Sequence, residues 1–255
     1  MKQFRVDALQ VVVADTRDEM GRAAARDIAQ AMRKLLAEQE QIHMIFAAAP
    51  SQNETLYHLL RETDIDWTRV NAFHMDEYIG LPVGAPQAFG NYLREHIFEH
   101  KPFRSVNLIS AAATDAAAEC ARYTALLEAH PVDIVCLGIG ENGHIAFNDP
   151  PVADFDDPAA VKPVKLDEVC RQQQVNDGCF ATIDDVPQYA LTLTVPALCR
   201  ARYMFCSVPA ATKAAAVREM LTTDRIDEHC PATILRRHGG AIMYCDNDSA
   251  AELAL

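Results

Sequence analysis

Positive charge is scarce in this 255-residue sequence: 23 Lys and Arg stand against 36 Asp and Glu, a formal net charge of −13. A chain so acidic repels phosphodiester backbones and anionic bilayers, so neither nucleic acid nor a membrane is expected as a partner. Long apolar runs are also missing; no stretch approaches the roughly eighteen residues needed to span a bilayer. The opening residues, MKQFRVDALQVVVADTRDE, hold no apolar signal core ahead of a small-residue cleavage site. No CxxC pair occurs: the eight cysteines stand singly at 120, 136, 170, 179, 199, 206, 230 and 245. Several lie inside apolar runs, which predicts reduced core thiols rather than disulfides or a zinc knuckle, and with them a cytoplasmic protein. Finally, no Ser/Gly tract, low-complexity run or block of like charge interrupts the chain, so one domain over 1–255 is expected.

What is present is aliphatic. Half of the residues are hydrophobic, yet only 7% are aromatic. Short apolar runs at 9–14, 42–48, 70–75, 132–140, 203–208 and 241–245 lack clean alternation, the signature of strands buried on both faces. Helix-period segments separate them, the first capped by Asp15 or Thr16, others in NETLYHLLRE, QAFGNYLREHIFEH, TDAAAECARYTALLEAH and ATKAAAVREML. This alternation predicts an α/β fold in three layers, a mostly parallel central sheet between helices. Ligands in such folds bind beyond the carboxyl ends of the strands.

Four strand ends therefore hold the chemistry. After the second strand comes AAAPSQNETL, with Ser51 or Asn53 placed to cap a helix. The third leads into His74-Met75-Asp76-Glu77-Tyr78. Adjacent carboxylates at a buried strand end are costly unless paired or used. On an extended segment they point opposite ways, so one faces the cleft as a base and the other makes a structural hydrogen bond. The residues alone leave open which of Asp76 and Glu77 takes which part, and Glu77 is counted with the substrate-contacting candidates.

GIGENGHIAFNDPP follows the strand at 132–138. Gly138, Gly140 and Gly143 satisfy GxGxxG, but no helix-period segment follows and Pro150 and Pro151 would stop one, which argues against a dinucleotide site. The better reading is a glycine turn in which Gly140 and Gly143 bring backbone N–H groups, and His144 its imidazole, up to a substrate. Asn148 and Asp149 are placed to orient that ring. A metal held by His74, Asp76 and His144 lacks a spaced ligand pair on one helix and is set aside, so no metal is expected. Lys213, in the first turn of a helix after the strand at 203–208, is a candidate phosphate anchor.

Taken together, MDEYIGLP (75–82) and GIGENGHIAFNDP (138–150) resemble the glucosamine-6-phosphate deaminase (isomerase) family, which shares a fold with 6-phosphogluconolactonases. AAECARYTALL (117–127), VPQYALTLTV (186–195), the Lys213 segment and CPATILRRH (230–238) extend the resemblance over roughly 40–246. It implies a modified Rossmann-like fold without organic cofactor. It also implies a small sugar phosphate as partner and conversion of glucosamine 6-phosphate to fructose 6-phosphate and ammonia. By resemblance, Asp76 is the base that moves a proton between C2 and C1, His144 assists ring opening, and Asp149 holds His144, with Asn142 beside the pair. Assembly into a homo-oligomer is left open.

The sequence departs from the family at the phosphate grip. Its TGxTP-type loop is replaced by AAPSQNE, leaving Ser51 and Gln52 as candidates, and the family's phosphate-binding arginine has no clean match, Arg171 being the nearest. The family's glutamate after FN is the shorter Asp149. Two alternatives follow: hydrolysis of 6-phosphogluconolactone, or deamination of a different amino sugar. A non-catalytic sugar-phosphate sensor is a third, supported by the altered loop and opposed by the retained Asp76, His144 and Asp149.

Overall fold

A computed structural model describes residues 1–176 and 178–254. Eight strands form the central sheet: β1 (Lys2–Val6), β2 (Leu9–Val13), β3 (Ile42–Phe46), β4 (Val70–His74), β6 (Ser105–Asn107), β7 (Ile134–Leu137), β10 (Tyr203–Val208) and β11 (Ala241–Cys245). Their order is β1-β2-β11-β10-β7-β3-β4-β6, and every pairing is parallel except β1 with β2. The edge strand β1 was not anticipated. It folds back through Asp7, at φ +51°, and covers the otherwise open flank of β2.

The sheet is apolar on both faces, and a period of two is hidden inside its continuous runs. On β3, Ile42, Met44 and Phe46 join one core with Met20, Ile28, Met32 and Leu35 of α1 (Arg17–Glu38) and Leu56 and Leu59 of α2 (Asn53–Leu59). Ile45, between them, joins the opposite core. There Tyr123 of α4 (Ala116–Ala129) and Val217 and Met220 of α7 (Ala214–Thr222) pack on Val135, Leu137, Met204 and Cys206. Each apolar side chain so buried contributes about 1.5–3 kcal/mol. Thr16 caps α1 by accepting from the Glu19 N–H at 3.2 Å. All eight cysteines are free, and burial pushes thiols inside the strands up, Cys136 to about 12.

A second, three-stranded antiparallel sheet was not foreseen. β5 (Asp76–Tyr78), β9 (Tyr189–Leu193) and β8 (Val161–Lys165) lie in the order β5-β9-β8. Tertiary pairing decides it: β5 has three residues and becomes a strand only because Asp76, Glu77 and Tyr78 pair with Thr192, Leu191 and Ala190. The helix expected over 87–100 is shorter. α3 (Phe89–Leu93) begins where the Glu77 carboxylate accepts from the N–H groups of Phe89 and Gly90, and it continues as a π-helical turn over Arg94–Phe98.

Connectivity places the cleft. After β3 the chain runs outward to β4, whereas after β7 it runs the other way to β10, and β3 and β7 are neighbours. Two loops diverging from adjacent parallel strands open a crevice at their carboxyl ends.

Candidate active site

The crevice and its open mouth together span about 760 Å³ of empty space. The loop after β3 contributes Ala47 to Ser51, the end of β4 contributes Met75 and Asp76, the loop after β7 contributes Gly138 to Gly140, His144, Ala146 and Phe147, and the loop after β10 contributes Pro209, Ala210, Thr212 and Lys213. Arg17, Phe89, Gln173 and Gln174 complete the wall. Asp76 and His144, 68 residues apart in sequence, thus line one pocket.

Asp76 is 7% exposed, and no hydrogen bond from the described residues reaches its carboxylate. Burial, with the like charge of Glu77 second, raises its pKa well above the ordinary 3.8. A carboxylate so placed is a stronger base than one in water.

Glu77, expected among substrate contacts, points away. It is 1% exposed and outside the pocket wall; its Oε1 accepts from the Tyr78 and Phe89 N–H groups and its Oε2 from Gly90, all at 2.9–3.0 Å. The pleat of β5 makes this division, sending neighbouring side chains to opposite faces.

His144 is 8% exposed and held on one side. Its Nδ1 lies 2.8 Å from Asn142 Oδ1 and 3.0 Å from Asp149 Oδ1, and Asn142 Nδ2 donates to the same Asp149 oxygen at 2.9 Å. Two oxygens at Nδ1 require that nitrogen to carry the proton, which leaves Nε2 as the ring's basic atom. Burial alone would raise Asp149. The hydrogen bond and charge of His144, with further bonds from Asn142 and the Cys170 thiol, outweigh it and hold the carboxyl below 3.8. One methylene less than glutamate is therefore no obstacle to reaching the imidazole. Asn148 takes no part; its amide donates to the carbonyls of Ile145 and Leu193.

The glycine turn works by shape. A Cβ on Gly140 would overlap the His144 ring, so only glycine leaves room for the imidazole. Gly143, at φ +78°, backs onto Cys230, whose Sγ would stand 2.6 Å from a Cβ there. Neither backbone N–H is offered to a ligand, contrary to expectation. Gly140 donates to the His144 carbonyl at 2.9 Å and Gly143 to the Gly140 carbonyl at 3.1 Å. Beside the turn, burial lifts the Cys230 thiol to about 11, which removes it as a nucleophile.

The other expected contacts divide. Ser51 and Lys213 line the pocket; Lys213, 6% exposed, ends the 3₁₀ turn Ala211–Lys213 that leads into α7. Gln52 is buried beneath, its Nε2 donating to the Leu137 carbonyl at 3.1 Å and to Ser51 Oγ at 3.1 Å. It holds the loop rather than a ligand. Arg171 is turned away, its guanidinium tied to the Ile183 and Val186 carbonyls at 2.5 and 3.1 Å. Neither Ser51 nor Asn53 caps α2; Asn53 Oδ1 instead accepts from the Tyr92 hydroxyl.

Sequence reasoning missed Arg17, Gln173, Gln174 and Thr212. The first is the opening residue of a helix 59 positions before Asp76, and nothing local marks it. Thr212 lies within the Lys213 segment and was the one within reach. Among the described residues, the cluster of potential metal donors is His144, Asp149 and Cys170, all within 4.8 Å of one another, with no share for His74 or Asp76. These atoms already satisfy each other by hydrogen bonding.

A desolvated carboxylate and a tautomer-locked imidazole facing one cavity at the switch point of a parallel sheet define an α/β enzyme of proton-transfer chemistry. The chain belongs to the family described as glucosamine-6-phosphate isomerases/6-phosphogluconolactonase, whose pattern matches residues 15–244. It is 35% identical over 213 residues to a glucosamine-6-phosphate deaminase of Listeria welshimeri, covering 84% of this chain and 88% of the relative. It is 32% identical over 241 residues to that of Bacillus cereus, covering 94% and 88%. The solved structure of a monomeric glucosamine-6-phosphate deaminase superposes with a TM-score of 0.85 at 28% identity, covering 94% of this chain and 98% of the other. A 6-phosphogluconolactonase of Thermotoga maritima, at 18% identity and TM-score 0.74 over 92% and 98%, shares the fold.

Proposed function

We propose that this protein converts glucosamine 6-phosphate and water to fructose 6-phosphate and ammonia. The observation that carries the reading is Asp76, buried in the same pocket as His144 with its basicity raised. A lactone hydrolase has no use for a base at C2, whereas an aldose–ketose isomerisation requires one. The relatives named above, deaminases over most of their length, support the same choice.

The geometry supports the following steps. Nε2 of His144 exchanges a proton with the sugar's ring oxygen and C1 hydroxyl, opening the pyranose; Asp149 and Asn142 fix the ring's tautomer and stabilise the imidazolium that forms. Asp76 takes the proton from C2 as the C1 carbonyl oxygen takes one up, and returns it to C1, so that C2 becomes an iminium carbon. Water adds there, and ammonia leaves as the ketone forms. Ser51 and Lys213 contact the substrate's charged end. Reaction and free thiols together fit a reducing, cytoplasmic setting, and no described helix is long and apolar enough to cross a membrane.

Ammonia release is the test, run on glucosamine 6-phosphate, on other phosphorylated amino sugars and on the unphosphorylated sugars, with 6-phosphogluconolactone hydrolysis in parallel. Release from glucosamine 6-phosphate above the other sugars is expected. Lactone hydrolysis without ammonia from any amino sugar would overturn the reading.

A further inference from the structure

The pocket has a polarity that the proposed reaction does not by itself explain. Among its described lining residues the cations are Arg17 and Lys213, brought in from α1 and from the turn before α7. The loop after β3 crosses the end of β7 to bring them to one side. Ser51 Oγ and Gln52 Nε2 sit over Gly138, each 3.1 Å from where a Cβ would stand, and Gln52 reaches the Ser207 carbonyl at 3.4 Å. Thr55 and Ser207 hydroxyls share a hydrogen bond of 2.8 Å, fastening the start of α2 to the end of β10. Pro50, in the middle of this loop, holds Arg17: its carbonyl accepts from Nη2, while Nε pairs with Glu54 Oε2 at 2.8 Å. Gly21, one turn along α1, makes the approach feasible, because a Cβ there would overlap Glu54.

Resting on the reading above, we infer that Arg17 is the guanidinium that grips the substrate's phosphate, at an anion subsite shared with Ser51 and Lys213. Three features make the assignment. The guanidinium is tethered by a hydrogen bond to the Pro50 carbonyl and an ion-pair contact with Glu54, which hold it at the edge of the pocket. Its partner Pro50 precedes Ser51 in the loop after β3, and Arg17, Ser51, Lys213 and Asp76 all line the one pocket, so phosphate and base can share a single bound sugar. And the chain is acidic overall, so an anion depends on the cations that line the pocket, which among its described residues are Arg17, although Glu54 shares its charge, and Lys213. Arg171, bound to the Ile183 and Val186 carbonyls, does not compete for this role. Arg17 acts on binding and specificity, not on the reacting carbons.

Inorganic phosphate serves as the probe, because its binding is measured by calorimetry without turnover. Arg17→Ala is expected to weaken phosphate binding roughly 10- to 100-fold and Arg17→Lys by less, since lysine keeps the charge and loses the fork. In the ammonia assay, Arg17→Ala should raise KM for glucosamine 6-phosphate by a similar factor and lower kcat/KM on that sugar more than on unphosphorylated glucosamine. Equal losses on both sugars would mean that the variant disturbs the pocket generally and would overturn the assignment. So would unchanged phosphate affinity in both variants. If wild type released no ammonia, the reaction would fall, while Arg17-dependent phosphate binding would still stand or fall on its own.

Discussion

The imidazole of His144 rests on the Cα of Gly140, in space that any other side chain would occupy. The Nδ1 face of the same ring is closed by Asn142 and Asp149. Between them, a missing methyl and a pair of oxygens leave the ring one productive orientation.

Gly140→Ala should therefore expel the ring while sparing the fold. We expect kcat/KM to fall by about a hundredfold, the usual consequence of misplacing a catalytic group by an ångström. The thermal midpoint should change little, because the ring can turn toward the cavity. Wild-type turnover in this variant would show that the imidazole is not used where it lies.

Asp76→Asn should cut C2 proton exchange with solvent by about 10³-fold and leave ligand binding largely intact. It should also stabilise the protein at neutral pH. Because the folded-state pKa of Asp76 is raised above the ordinary 3.8, ionisation destabilises the fold as pH climbs from 3.8 through the folded value. Asparagine is spared that cost. The advantage, read by denaturant unfolding, should be largest above the folded pKa and vanish below 3.8. A variant less stable than wild type at pH 7 would contradict the burial argument.

Asp149→Asn removes the negative partner of the imidazolium, and kcat should drop by between about 10²- and 10⁴-fold. An open-chain substrate analogue should be slowed much less than the closed ring, since only the latter needs His144 to open it. The stability effect has the opposite sign to that of Asp76. The lowered pKa of Asp149 adds stability above 3.8 that is lost as pH falls through the folded value. The variant should thus be less stable at pH 7 and converge on wild type in acid.

Glu77→Gln leaves three backbone N–H groups facing an amide that offers one acceptor oxygen, and should destabilise by about 1–3 kcal/mol in chemical denaturation. Removing a like charge from beside Asp76 should also shift the acid limb of kcat/KM to lower pH. A pH profile identical to wild type would detach Glu77 from the base.

Much of this molecule is determined by sequence alone. Runs such as IHMIF and YMFCSV, apolar at every position, can be satisfied only between two layers, and the parallel sheet follows from the helices that separate them. The residue pattern alone singled out His144 in its glycine turn and the Asp76–Glu77 pair, because adjacent carboxylates at a buried strand's end are costly unless used, while the choice of Asp76 as base and of Asp149 as partner of His144 came from the resemblance to the family. Tertiary structure decided the rest. β5 is a strand only by pairing with β9, more than a hundred residues later, and that pairing sent Glu77 to α3 and Asp76 to the pocket. Arg17 and Arg171 were indistinguishable as letters. One meets Pro50 and Glu54 at the cavity wall and the other meets Ile183 and Val186 away from it, because a long side chain's place is set by whichever distant carbonyls the packed layers bring within its reach.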